Sequence, residues 1–193
     1  MNLRIVRLAH WLIRLRWFAI VGIFIAYYIA RHFLQITIQD LPVYIIIGFL
    51  ILLNVSSISF LKYLQKSGVR KSSKDIKRII NLQISTDLIV LTILLHYTGG
   101  VENPFIIYYI FHMIIGSIML STKESFLQTS FALFLLGSMT YLEYLGVVQH
   151  YPLTGFITTN MYTNFTYLAC TGIIFISTSY FVVYITRTII KQA

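Results

Sequence analysis

Six apolar runs, each close to the length that crosses a lipid bilayer, leave this chain few folds to choose from. A spanning helix needs about 20 mostly apolar residues. Trp17–Phe33, Pro42–Leu61, Ile79–Tyr97, Pro104–Leu120, Phe126–Val148 and Phe165–Ile185 qualify. In lipid no water satisfies exposed backbone groups, so such runs become helices rather than open sheets. The expectation is an all-α integral membrane protein of six transmembrane helices filling residues 1–193, with no soluble domain between them. The longest polar stretch is only residues 62–78. Charged residues make up 11% of the chain, against about 25% in soluble domains.

Charge then sets the orientation. A net charge of +9 on a soluble protein points to nucleic acid. Here the basic residues lie between apolar runs, where they act as topology signals and contacts to lipid head groups, so no nucleic-acid partner is expected. Arg4, Arg7, Arg14 and Arg16 precede the first span, and Lys62, Lys66, Arg70, Lys71, Lys74, Lys77 and Arg78 follow the second. Lys123, Arg187 and Lys191 complete a set of 14 on one side, out of 15 in all. Only Arg31 falls opposite. The basic side is cytoplasmic, which puts both termini inside. The outer face receives Arg31–Leu41, Gln149–Asn164 and a turn at residues 98–104. The first apolar run is long enough to span and lacks a small-residue cleavage site, so it does not read as a cleavable signal.

Aromatic residues crowd the outer ends: Tyr27, Tyr28, Tyr44, Tyr97, Tyr108, Tyr109, Tyr144, Tyr151, Tyr162 and Tyr167. Their plain role is an interfacial belt. Residues 1–16 form a cytoplasmic lead-in. Within it, Leu3–Leu15 places Arg4, Arg7 and Arg14 on one stripe and Leu8, Trp11, Leu12 and Leu15 on the other, which fits a helix lying on the inner leaflet.

The outer turn reads Thr98-Gly-Gly-Val-Glu-Asn-Pro-Phe105. Gly99 and Gly100 suit a left-handed helix end. Asn103 is a good N-cap and Pro104 a good first helical residue. Together they make a tight helical hairpin, and Glu102 beside it reads as exposed and solvated.

Ionisable groups inside a span are costly and usually face the bundle interior. Asp87 lies about 12 Å into the third span at 1.5 Å per residue. Gln83 is one turn earlier on the same face, and Asn54 sits at similar depth in the second span. An Asp87–Gln83–Asn54 hydrogen-bond cluster would satisfy all three, as a clamp between helices or as a proton-linked element. His96 and His112 differ in depth, which argues against a haem pair. Glu143 reads as snorkelling to water and Cys170 as an inert packing residue. No catalytic constellation, phosphate loop or metal-ligand cluster is visible.

Three stretches carry a family resemblance. Gly99-Gly-x-x-Asn-Pro-Phe105 resembles the quinone-binding heptapeptide of RegB/PrrB-type redox-sensing histidine kinases. Arg14-Leu-Arg-Trp-Phe-Ala-Ile-Val-Gly22 is similar to the opening of their sensor region, and Asn81–Gly100 to their third span. The likeness covers essentially the whole chain. It implies a quinone-responsive transmembrane input module of a two-component sensor, multi-pass in a bacterial inner membrane, with ubiquinone or menaquinone as ligand. The matching quinone-site positions are Gly99, Gly100, Asn103, Pro104 and Phe105. A quinone has two carbonyl acceptors and a flat ring, so Tyr97 and Tyr108 join them as stacking partners. The resemblance further implies a homodimer, with helix six relaying through Tyr184–Lys191 to an ATP-dependent kinase core and thence a response regulator. No phosphoacceptor or ATP-binding box occurs within residues 1–193, so the chain has no catalytic core of its own. A stand-alone polytopic protein, such as a small transporter or a cytochrome-like partner, is the other reading.

Overall fold

The structure, a computed structural model, describes residues 3–66, 73–156 and 159–192. Arg70 and Lys71, in the basic connection, lie outside them. Six α-helices follow in order: α1 Leu3–His32, α2 Asp40–Lys66, α3 Ser73–Tyr97, α4 Tyr108–Met119, α5 Thr122–Tyr144 and α6 Phe165–Gln192. No strand is present among the described residues.

Five of these helices are long and apolar enough to cross a membrane: within α1, α2, α3, α5 and α6. Their length and composition are those of a multi-pass membrane protein. Large apolar side chains such as Phe18, Phe33, Phe134, Phe165 and Ile173 stand exposed, as lipid-facing groups do. The fourth apolar segment is different. It opens with a 3-10 turn, Pro104–Ile107, before the 12-residue α4. At about 2 Å per 3-10 residue and 1.5 Å per α residue it reaches roughly 26 Å, short of the roughly 30 Å hydrocarbon layer. The six spans read from the sequence therefore become five long helices and one short one.

Two further boundaries differ from the sequence reading. The separate lead-in helix over Leu3–Leu15 is absent as such: α1 runs unbroken from Leu3 to His32, because no Gly or Pro interrupts it before Gly22. The fifth helix starts at Thr122 rather than Phe126. Ser121 caps it, its hydroxyl accepting from the Glu124 N–H while the Glu124 carboxylate accepts from the Ser121 N–H at 2.9 Å. That reciprocal pair is a capping box.

The chain divides into two compact units, Met1–Ile80 and Asn81–Ala193. In the first, α1 packs on α2 through Ala9, Leu12, Ile13, Ile20, Val43, Ile46 and Leu50. A polar clamp lies inside this interface. Arg16 Nη1 donates to Asn54 Oδ1 and Ser57 Oγ, both at 3.4 Å, and Asn54 Nδ2 donates to the Ile13 carbonyl at 3.1 Å. Near the α1–α2 turn, Tyr27 Oη donates to Asp40 at 2.8 Å and Arg31 pairs with it at 3.6 Å.

In the second unit α4, α5 and α6 pack on one another around Tyr109, Met113, Ala132, Leu136 and Val183. Polar links tie α3 in. Gln128 of α5 donates to the Asn81 carbonyl at 3.1 Å and to Ser85 at 2.7 Å. The Thr92 and Tyr109 hydroxyls meet at 2.5 Å. Tyr109 is fully buried, so it is a core residue and not part of an interfacial belt. At the α4–α5 corner Arg187 of α6 donates to the Ser117 and Leu120 carbonyls, each at 2.9 Å, and to Thr122 Oγ1 at 2.9 and 3.2 Å. A cation on the last carbonyls of a helix stabilises its end.

Candidate functional site

Where α3 ends, Gly99 and Gly100 turn the chain with φ of +105° and +54°. Both values lie in the left-handed region that glycine enters without strain. Space also requires glycine. A Cβ on Gly99 would lie 2.7 Å from Leu153 Cγ, and one on Gly100 would run into the Glu143 carboxylate. A short 3-10 turn, Gly100–Glu102, leads to Asn103. Asn103 Oδ1 accepts from the Phe105 N–H at 2.8 Å, with Pro104 at the first helical position. The cap expected from the sequence is present. The Asn103 amide group also donates to the Thr98 carbonyl at 2.6 Å and to the Thr98 hydroxyl at 2.8 Å. The side chain is buried, and its donors and its acceptor all serve the turn.

Beneath the turn lies a quartet of titratable side chains drawn from distant parts of the chain. Glu143, 1% exposed on α5, accepts from two imidazoles. His96 Nδ1 of α3 lies 2.7 Å from its Oε1, and His150 Nδ1 lies 2.7 Å from its Oε2. His150 belongs to the loop after α5 and turns its other nitrogen to Glu102. Nε2 is 3.4 Å from Glu102 Oε2, within ion-pair range but without hydrogen-bond geometry. Glu102 Oε1 accepts the Tyr162 N–H at 2.8 Å, and the Tyr162 ring stacks on His150 at 3.9 Å and 14°. Tyr151 meets His96 edge-on at 5.3 Å.

Burial alone would lower the pKa of His150. The hydrogen bond to Glu143, its charge and then that of Glu102 outweigh it, so the imidazole titrates above its ordinary 6.5. Opposite charges a few ångströms away favour the protonated form. The four side chains do not surround a point suited to a metal ion.

These positions overturn several sequence readings. Glu102 is not solvated; it is 7% exposed and paired. Glu143 does not snorkel to water but sits at the centre of the quartet. His96 turns to Glu143, whereas His112 Nδ1 bonds the Tyr108 carbonyl of its own helix at 2.8 Å. Cys170 is exposed on α6 and packs no core within this chain. The Asp87–Gln83–Asn54 cluster is not among the overturned readings: Asn54 bonds Arg16 and Ile13 in the first unit, and Asp87, buried, and Gln83, half-buried, lie on α3 in the second.

Six of the seven quinone-site positions separate into two groups. Gly99, Gly100 and Asn103 point inward and build the turn over the quartet. Pro104, Phe105 and Tyr108 are exposed on the other side, where Phe105, Tyr108 and Phe111 form an aromatic ladder with centroids 5.5 and 5.6 Å apart. Tyr97 joins neither group; its ring lies tilted at 42° against Tyr151, centroids 5.1 Å apart. Sequence reasoning missed His150 altogether. Its signal was weak but real: the chain has only six acidic residues, and two of them fall at the same end of the bundle as His96 and His150.

Comparison of the chain with protein-family models, with curated proteins and with solved structures finds no match.

Proposed function

We propose that this chain is the transmembrane input module of a two-component redox sensor. In this reading it lies in a bacterial inner membrane with both termini in the cytoplasm, and the short α4 segment serves as a sixth crossing. A ubiquinone or menaquinone docks beside the outer hairpin. Its binding state biases the helix packing, and α6 carries that bias to a kinase core beyond residue 193, which acts as a homodimer on a response regulator. A ligand shifts such an equilibrium only through differential affinity for the two states.

The observation that carries the proposal is the exposed ladder Phe105–Tyr108–Phe111 next to a rigid turn. A quinone ring stacks on such faces, and its tail lies along apolar helices. Asn103 is fully engaged within the turn, so the donor to a quinone carbonyl falls to the Tyr108 hydroxyl, which has no hydrogen-bond partner among the described residues. The test is direct binding of short-tailed ubiquinone and menaquinone to the purified chain by calorimetry. Replacing one stacking ring removes about 0.5–1.5 kcal/mol. Phe105→Ala and Tyr108→Ala are therefore each expected to weaken binding about two- to tenfold. Unchanged affinity in the double variant removes the site from this ladder. Reading the coding sequence past Ala193 for a phosphoacceptor helix separates the sensor from a stand-alone polytopic protein.

A further inference from the structure

His150 has two ring nitrogens, and each faces a carboxylate oxygen. An ionised carboxylate only accepts hydrogen bonds, and a neutral imidazole has one N–H to give. With Nδ1–H committed to Glu143 at 2.7 Å, a neutral ring would turn the bare lone pair of Nε2 toward Glu102 Oε2, 3.4 Å away. Two like-charged surfaces would then meet in a site where both side chains are almost wholly enclosed, 3% exposed for His150 and 2% for Glu102. Such a contact is repulsive and undiluted by water. One additional proton between Nε2 and Oε2 resolves it.

We propose that His150 and Glu102 form a proton-binding site whose occupancy holds the loop after α5 against the Gly99–Glu102 turn.

Every group facing His150 fits this role. Glu143 from α5 holds Nδ1 and orients the ring, and its second oxygen is committed to His96 of α3. Tyr162, from the short turn Met161–Thr163, covers the ring face and donates its N–H to the other oxygen of Glu102. Tyr151 and Tyr97 close the His96 side. Gly100 allows Glu143 to come this close because no Cβ intervenes. Loading the proton makes His150 a cation between two anions. Releasing it leaves Glu102 and His150 in mutual repulsion, and the loop then has reason to part from the turn. The long Nε2–Oε2 contact is the labile half of the site.

The sign follows from the raised pKa of His150. The stabilisation is fully present below the ordinary value of 6.5 and is lost as pH rises through the higher folded-state value.

The inference does not rest on the quinone reading, and its test needs no quinone. Nitrogen-15 histidine NMR of the full chain in micelles, from pH 5 to 9, reads each imidazole directly. Single His→Gln variants at the chain's five histidines assign the signals, and if His150→Gln does not fold, the other four assign His150 by elimination. The expected result is a His150 ring doubly protonated at pH 6.5, with a midpoint above that value. Glu102→Gln should move that midpoint down, while the amide oxygen still accepts from the Tyr162 N–H. A His150 ring already neutral at pH 6, or a midpoint that Glu102→Gln leaves in place, overturns the proposal. So does a melting point that rises with added Zn²⁺ but is flat with pH, since the site would then hold a metal ion.

Discussion

The Arg16 cluster of the first unit and the Glu143 cluster of the second differ in kind. In the first, Arg16 gathers Asn54 and Ser57 around a guanidinium, a fixed cation at any working pH. In the second, His96, Glu102, Glu143 and His150 are all groups whose charge can change. Burying polarity is costly unless every group is paired. The first unit meets that demand with a permanent charge, and the second with groups that a proton rearranges. A permanent clamp fixes the α1–α2 pairing under all conditions. A titratable one holds the hairpin and the loop after α5 in a way that depends on the medium.

The largest expected effect is from Glu143→Leu, which strips the His96 and His150 imidazoles of their buried acceptor. Breaking a buried pair costs roughly 3–5 kcal/mol, so the melting point in detergent should fall by roughly 10 °C or more. A fall of less than about 2 °C, typical of exposed pairs, would remove the contrast between the clusters. Gly100→Ala comes next. It forces a Cβ into the Glu143 carboxylate and a positive φ on alanine, with backbone strain of about 1–3 kcal/mol.

The two clusters are separated most cleanly by Arg16→Met. Losing the Arg16 hydrogen bonds to Asn54 and Ser57 should cost about 1–3 kcal/mol, equally at pH 6 and pH 9. Melting curves against pH for this variant should therefore run parallel to those of the wild type. Converging curves would show that the first cluster also titrates. The smallest expected effect is at the cap. Asn103→Ala should cost about 0.5–2 kcal/mol, and Asn103→Asp less, because it keeps the acceptor for the Phe105 N–H. Equal losses from both would assign the stability to the Thr98 bonds instead.

Local features of the sequence carried over well. The apolar runs became helices, and Asn103 with Pro104 starts a helical turn where the residue types demand one. Ser121 and Glu124, three residues apart, carry the capping-box pattern in the sequence itself, upstream of Phe126, the first aromatic residue of the fifth run. What could not be read was pairing at long separation. His96 and Glu143 are 47 residues apart, and Glu102 and Tyr162 are 60. No periodicity links such positions, and a loop such as Gln149–Asn164 gives no sign of folding back until the bundle exists. For the same reason Glu102 looks solvated in a polar turn, although the returning loop covers it. The short fourth helix is not legible in the sequence, because composition alone cannot distinguish a 3-10 turn from the first turn of an α-helix.

Arg187 gives α6 a mechanical character. Four hydrogen bonds fasten the last turns of this helix to Ser117, Leu120 and Thr122, at the corner where α4 gives way to α5. A rod pinned near its end cannot spin about its own axis without shearing the pin. Any twist that reaches Arg187 must either break the guanidinium away from two carbonyls and a hydroxyl or drag the corner with it. The first route gives up four hydrogen bonds from a guanidinium, whereas the second keeps them and couples α6 to the α4–α5 corner.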